Sequence, residues 1–455
     1  MSLRAARGAP GAARSGSPRA PAKPGTLTGM ALPAIVPMPP LAIGIGLPWD
    51  VTVVDPVAAL AAARAEFGDT FVVDSGGDRY LFTFSPRGVA SFYALPEDLA
   101  SKGLADFRML RRKLPDEMFL GRRTLPSQLF RRDDVASYLA NLTRALVVTG
   151  GELGDRGSAD LFALTRRIAH RMGLASWAGP GCADTERFER LVSALDDLDG
   201  SEAFVNPDAM AAVAASGKAA ECAALEEIVA VIGEVIDEPT DGHPLFGRIV
   251  AEWADQPAEQ RRRGAALDVA LIHIASMSNL AAALGWLLVD LIGHPAERME
   301  VGAGDRALAE QCALESTRLA QRSIMPRFVL AELDFDTGDA TYRVTPGTTI
   351  ATLLPLTNTS AGPGLARWEP RRWHRHRLVD PSDLASAELV TSFGHGRHSC
   401  PAQPFALSAM AMMAIHLFGA YDMAPGWSAA PAPLPGQIGG VARAAGPTPV
   451  SYRRR

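Results

Sequence analysis

Ser392-Phe393-Gly394-His395-Gly396-Arg397-His398-Ser399-Cys400-Pro401-Ala402 is the stretch whose reading decides the fold. It ends a glycine-punctuated loop on one cysteine, directly before a run, Gln403 to Tyr421, that is apolar at helical spacing. Glycine supplies positive-φ backbone and lets a flat ligand come close to the main chain. A sulfur just ahead of a helix N-terminus sits in partial positive charge, which favours the thiolate. That is the geometry of a soft, anionic metal ligand. A cysteine without such neighbours usually packs as a small hydrophobe, so the reading of Cys400 rests on the residues around it.

Outward from this loop, the chain is ordinary globular material. Its 455 residues are 47% hydrophobic and 21% charged, enough for a large core. A net charge of -5 gives no case for nucleic acid. Cys182, Cys222, Cys312 and Cys400 are widely separated and form neither a zinc spacing nor a secreted disulfide framework, so a reducing cytoplasm is expected. Residues 1–23 are basic, without an acid, and read as a disordered lead. From Pro24 to Trp49 there is no charge, but six prolines argue against a continuous spanning helix. Neither a transmembrane anchor nor a signal peptide is expected. The division is 1–47, a basic then proline-rich apolar lead, with an extended apolar segment lying on the folded body, and 48–455, a single domain.

Structure-forming signals begin with a helix from Pro56 to Phe67, capped by Asp55 and stopped by Gly68. A hairpin follows around Gly76-Gly77, then a helix from Ser85-Pro86 to about Tyr93. Leu95 to Arg132 reads as a long, proline-interrupted loop whose Arg108, Arg111, Arg112, Lys113, Arg122 and Arg123 form solvated charge. Val135 to Gly304 is almost wholly helical, with breaks near Gly150, Gly179, Asn206 and Pro239 to Pro244. Its longest apolar helix, Ala265 to Ile292, belongs at the centre of a large domain. Downstream come Glu315-Ser316-Thr317-Arg318 in a helix from about Asp305 to Ala320, then Arg327. A strand pair around Tyr342-Arg343-Val344 and Thr349-Ile350-Ala351 precedes Trp368-Glu369-Pro370-Arg371-Arg372-Trp373.

This order of motifs resembles the cytochrome P-450 family. The family's haem loop reads Phe-Gly-x-Gly-x-His/Arg-x-Cys-x-Gly. Phe393, Gly394, Gly396, His398 and Cys400 match it, with Ala402 in place of the last glycine. The family's central helix carries Ala/Gly-Gly-x-Asp/Glu-Thr; the matching residues are Ala275-Ser276-Met277-Ser278-Asn279. Ser278 replaces the acid and Asn279 the threonine, so the usual proton relay is absent. Ala275 and Asn279 are four apart and share a helix face, which would aim Asn279 towards the iron. Two blander readings stand beside this: Ser278 bonds back to the Ile274 carbonyl, and Asn279 is a polar core residue. Glu315, Arg318 and Arg372 match the family's buried charge cluster, and Arg327 and His398 its clamps on the haem propionates.

The resemblance implies a mainly α fold with a minor β-region, a triangular helical prism around a b-type haem (iron protoporphyrin IX). Cys400 holds the iron, and Phe393, Gly394, Gly396, Ala275 and Ser276 line the cofactor. Asn279, Ser278 and Cys400 are the catalytic candidates. The expected activity is that of a soluble bacterial monooxygenase of secondary metabolism, cytoplasmic and monomeric. It oxidises a mid-sized natural product or lipid-like acid with O2 and electrons from a separate ferredoxin and ferredoxin reductase. A substrate hydroxyl or carboxyl, or ordered water, replaces the missing relay. The alternatives are an H2O2-dependent peroxygenase, a hydroperoxide or endoperoxide lyase or isomerase needing no external electrons, and a non-catalytic haem-binding role.

Overall fold

A computed structural model describes residues 37–455 apart from 125, 375, 376 and 379; the basic lead at 1–23 lies outside these. The chain is mainly helical and is built around one 36-residue helix, Ala258–Gly293. Its middle and C-terminal half are apolar nearly all round, from Ala265 to Ile292, so it is stable only where helices cover it on several sides. Leu161–Trp177, Ala219–Val235, Arg306–Ala320 and Gln403–Ala420 supply that cover. The expectation of a central apolar helix is met, and the helix starts earlier than the apolar run because Ala258 to Gly264 is its polar first part.

Among the described residues, two helices, Ala258–Gly293 and Gln403–Ala420, are long and apolar enough to cross a membrane. In this fold 67% and 50% of their apolar windows are buried in the protein itself.

The largest sheet of the minor β-region has five strands, in the order Thr70–Ser75, Asp78–Thr83, Thr348–Leu353, Ile324–Val329, Ala100–Ser101. The expected hairpin is its edge, with Gly76 and Gly77 at the turn. Asp55 caps Pro56–Phe67 through its Oδ1, which accepts from Val57 N and Ala58 N, and Ser85 caps Pro86–Ala94 through Gly88 N. The apolar segment before Trp49 lies along this sheet for the residues described: Leu41 bridges Val72, and Leu47 and Trp49 are buried.

Four expectations are corrected. Tyr342–Val344 and Thr349–Ala351 do not pair with each other. Thr341–Val344 pairs with Leu333–Asp336, whereas Thr348–Leu353 lies between two strands of the main sheet. The segment from Leu95 to Arg132 is not a loop throughout, because Ser101 Oγ accepts from Leu104 N and starts a helix, Lys102–Leu110. Nor is the basic run there solvated throughout: Arg111 and Arg122 are exposed, but others are not. Lys113 is 4% exposed and donates to the Asp197 and Leu198 carbonyls and pairs with Glu221, while Arg112 bridges Asp50 and Asp78. Finally, no break occurs at Gly150: the helix Val135–Leu153 runs through it and stops at Gly154, where φ is +70°.

Candidate functional site

The loop before Cys400 is fixed by its own backbone. Cys400 N donates to the Phe393 carbonyl at 2.7 Å, closing the loop, and Thr391 Oγ1 donates to the Gly394 carbonyl and accepts from Phe393 N. Gly394 has φ +79°, and a Cβ there would lie 2.5 Å from the His398 carbonyl oxygen, so only glycine fits. Ala402, which departs from the family's glycine, has φ -85° and ψ 0°, a conformation open to any L-residue. The substitution therefore costs no backbone strain.

The sulfur of Cys400 lies ahead of Gln403–Ala420, and the amides of Ala402 and Gln403 act on it as hydrogen-bond donors. Burial pushes the thiol up from its ordinary value, and those two amides pull the other way. Among the described residues no group of three His, Cys, Asp or Glu side chains is placed to hold a metal. A metal bound by Cys400 must therefore bring most of its own ligands, as iron in a macrocycle does.

Behind the loop stands the charge cluster. Arg318 grips Glu315 through Nε to Oε2 at 2.9 Å and Nη2 to Oε1 at 2.7 Å, both residues being fully buried. Arg372 Nε and Glu369 N donate to Oε1, each at 3.0 Å, and Trp373 Nε1 to Oε2 at 2.8 Å. This cluster reaches the Cys400 loop through Asn358, which no local signal marks. Its Nδ2 donates to the Arg318 and Thr391 carbonyls, and its Oδ1 accepts from Thr391 N. Ser392 Oγ donates to the Leu314 carbonyl on the helix that carries Glu315 and Arg318. The loop and the cluster are one hydrogen-bonded unit.

On the sheet side, strand Ile324–Val329 carries Arg327, which has no solvent exposure. Its Nη1 lies 2.6 Å from His398 Nε2, its Nε donates to the Ala100 carbonyl, and Nη2 meets Glu97 at 3.2 Å. Burial holds both Arg327 and His398 below their ordinary values, and the Arg327 charge lowers His398 further. The half-exposed Glu97 carboxylate is the acid paired with this buried group. Two nitrogen bases 2.6 Å apart, destabilised by burial, are short of negative charge. A haem propionate would supply it, so the donor set here and the sulfur at Cys400 both fit the cofactor that the sequence resemblance implies.

The stretch 275–279 is less uniform. Ala275 and Asn279 are exposed while Met277 and Leu280, on other faces, are buried, so one face of the central helix opens onto space in the middle of the protein. Asn279 Oδ1 accepts from Val441 N at 2.9 Å. That bond fixes the amide, leaving Nδ2 as the donor without a protein partner among the described residues. The expected back-bond occurs at Ser276, whose Oγ donates to the Ile272 carbonyl, and is not formed by Ser278. Ser278 instead lines a separate cleft with Arg166, His170, Asp199 and His273.

The site thus gathers Cys400, His398 and Arg327 with the loop residues Phe393, Gly394 and Gly396, and separately gathers Glu315, Arg318 and Arg372. Ala275 and Asn279 share a face; Ser276 and Ser278 do not join it. Glu97, Asn358 and Val441 are the neighbours of the candidate site that sequence reasoning misses.

Neither a protein-family model nor a curated protein matches this sequence. Among solved structures the chain is similar to CYP175A1 from Thermus thermophillus, at 19% identity and a TM-score of 0.62. The match covers 88% of this chain and 95% of that one. With a central helix covered by helices on several sides and a glycine-bounded cysteine loop ahead of a long helix, the chain has the cytochrome P450 fold.

Proposed function

We propose that the protein is a haem-thiolate monooxygenase acting on a small organic molecule, with Cys400 as the iron ligand. The observation that carries this reading is the closed loop that sets the Cys400 sulfur before a helix, two residues from His398 and its partner Arg327. When bound, the haem would supply oxygen activation, which thiolate ligation favours.

The chain's own residues divide the remaining work. The Ala402 and Gln403 amides offset the negative charge of the sulfur. Arg327 and His398 would hold the propionate edge and so orient the ring. Phe393, Gly394 and Gly396 would form the backbone floor, and Ala275, on the open face of the central helix, leaves room opposite as a small residue. Asn279 presents Nδ2–H as a fixed donor towards bound substrate or water. The electrons come from a separate ferredoxin and its reductase, and the fold acts as a monomeric, cytoplasmic enzyme of residues 48–455 with a b-type haem. A mid-sized natural product or lipid-like acid suits the mixed apolar and basic surroundings.

One observation favours a second reading. The Asn279 amide is tied to Val441 and cannot pass protons on, whereas hydrogen peroxide brings its own protons; a peroxygenase therefore ranks next. The test is turnover of a panel of fatty acids, terpenoids and polyketides that shift the Soret band. Product formation with NADH, ferredoxin and reductase, undiminished by catalase, is expected. Strict dependence on peroxide would replace the monooxygenase by the peroxygenase, and turnover of a fatty-acid hydroperoxide without reductant would replace both by a lyase or isomerase.

A further inference from the structure

Glu97 stands at the clamp of Arg327 and His398, and the proposed function gives it no task. Arg327 is fully buried on strand Ile324–Val329, and its guanidinium has five N–H groups to place. Nε donates to the Ala100 carbonyl, Nη1 to the Phe92 carbonyl and to His398 Nε2, and Nη2 to Glu97 Oε2 at 3.2 Å. One Nη2–H is left over. A guanidinium cannot accept, so His398 Nε2 is the acceptor in its bond with Arg327, and the imidazole proton sits on Nδ1. His398 Nδ1–H has no protein partner among the described residues. The clamp therefore offers an incoming carboxylate two donors, Arg327 Nη2–H and His398 Nδ1–H.

Glu97 draws on the same Nη2 atom, and among the described residues it is the acid that pairs with Arg327. Its other oxygen is committed elsewhere: Oε1 accepts from Ser101 Oγ at 2.8 Å and from Gly103 N at 3.1 Å. Those bonds close the turn that leads into Lys102–Leu110, the helix that Ser101 Oγ caps through Leu104 N. Burial works against the charge on Glu97, but Ser101, the Gly103 amide and Arg327 outweigh it, so the carboxyl is held below its ordinary value and is ionised at neutral pH. The two partners differ in what they lose on parting. A guanidinium with no solvent exposure is costly without a counter-charge, whereas the Glu97 side chain, 48% exposed, can return to water. Arg327 needs an anion beside it; Glu97 does not need Arg327.

We infer that Glu97 is a placeholder for the haem propionate: it neutralises Arg327 while the haem is absent and competes for it when the haem is bound. This inference rests on the haem-thiolate reading of the site. In the haem-free chain the pair keeps a buried charge compensated, so the sheet side of the site is formed before the cofactor arrives. The cost falls on the loaded protein, where two carboxylates draw on one guanidinium and repel each other. Because Oε1 of the same side chain closes the turn at 97–103, that competition also ties haem occupancy to the start of Lys102–Leu110.

Glu97→Gln separates the charge from the turn, because the amide Oε1 still accepts from Ser101 and Gly103. Ferric holoprotein is mixed with excess apomyoglobin, and haem transfer is followed in the Soret region. Without the competing carboxylate, haem loss should slow about 10-fold. Equal or faster loss, which a purely structural Glu97 would give, overturns the inference. Ser101→Ala loosens the same turn and leaves the charge in place, so it should not slow haem loss; slowing to match Glu97→Gln overturns the inference as well. Both the wild type and Glu97→Gln are then reconstituted with haem dimethyl ester, whose esterified propionates carry no charge. The two should now lose it at the same rate, and a gap that persists with the ester overturns the competition. A wild-type chain with no Soret band, as purified or with added haemin, defeats the haem-thiolate reading and the inference with it, whereas a Soret-bearing chain that fails the Glu97 comparison defeats the inference alone.

Discussion

The Cys400 loop and the 275–279 stretch of the central helix are both polar interruptions in an apolar core, yet they are held in opposite ways. Behind Cys400, Glu315 receives five hydrogen bonds, from Arg318 twice, from Arg372, from Trp373 and from Glu369 N. Asn358 then ties that group to the loop through Thr391. On the central helix, Asn279 has one fixed bond and an open donor, Ser276 turns back on its own helix, and Ser278 faces a cleft. A fully satisfied buried network specifies one geometry, while open donors leave room for something that is not protein. On the proposed function, the first region would hold a ligand and the second would leave a reaction space.

Substitutions can break or sharpen this contrast. Cys400→Ser has the largest expected effect: oxidation activity falls to background and the thiolate signature of the ferrous–CO spectrum disappears, with the circular dichroism of the fold retained. Next is Glu315→Gln, which leaves the buried Arg318 guanidinium and the partly buried Arg372 short of their counter-charge. It should cost about 3–5 kcal/mol in urea unfolding, and the double variant Glu315→Gln, Arg318→Leu should cost less than the sum of its parts.

Asp290 lies where the central helix nears that cluster, and burial pushes its carboxyl up to about 6 from an ordinary 3.8. The folded state therefore holds more protons than the unfolded one between those values, so Asp290 makes stability fall as pH rises through that window and level off above it. Asp290→Asn should remove this slope and raise stability at pH 7.5 by roughly 1–3 kcal/mol, read from melts across pH. Gly394→Ala should cost about 1–3 kcal/mol, from positive φ and the clash with the His398 carbonyl, and should weaken haem retention in gel filtration. The smallest effect is expected at Asn279→Ala. It loses one hydrogen bond and about 1 kcal/mol, yet it should alter ligand-induced Soret shifts more than Gly394→Ala does. A larger stability loss at Asn279 than at Gly394 would reverse the assignment of rigid and open regions.

What could be read in advance follows the range of the interactions. The Cys400 loop is legible because its glycines, its closing bond and the helix after it lie within a few residues. Glu315 and Arg318 are three apart, and Arg372 sits in a recognisable Trp-Glu-Pro-Arg-Arg-Trp segment. Glu97 is not legible, because it meets Arg327 across 230 residues of chain. The bond between His170 and His273 spans 103 residues, and no periodicity announces it. Lys102–Leu110 hides because a nine-residue helix between Pro96 and Pro115, rich in charge, has too little apolar pattern to declare itself. Lys113 reads as surface charge because its acceptors, the Asp197 and Leu198 carbonyls, are more than 80 residues away. Ser278 is the subtler case: its matching place in the motif directs attention to the haem face, while the helix turns it towards His273 and Arg166.

The segment that clasps the central helix also orders events in time. Val441 N reaches Asn279 across 162 residues, and the Ala442 carbonyl accepts from Trp286 Nε1 across 156. At ribosomal speeds, that much chain takes roughly 10 to 30 s to synthesise. During this interval the helix has emerged and the clasp has not. The Cys400 loop is made in the same interval, before the clasp. A flat cofactor would thus have an unfastened side by which to enter until Val441 and Ala442 reach the helix.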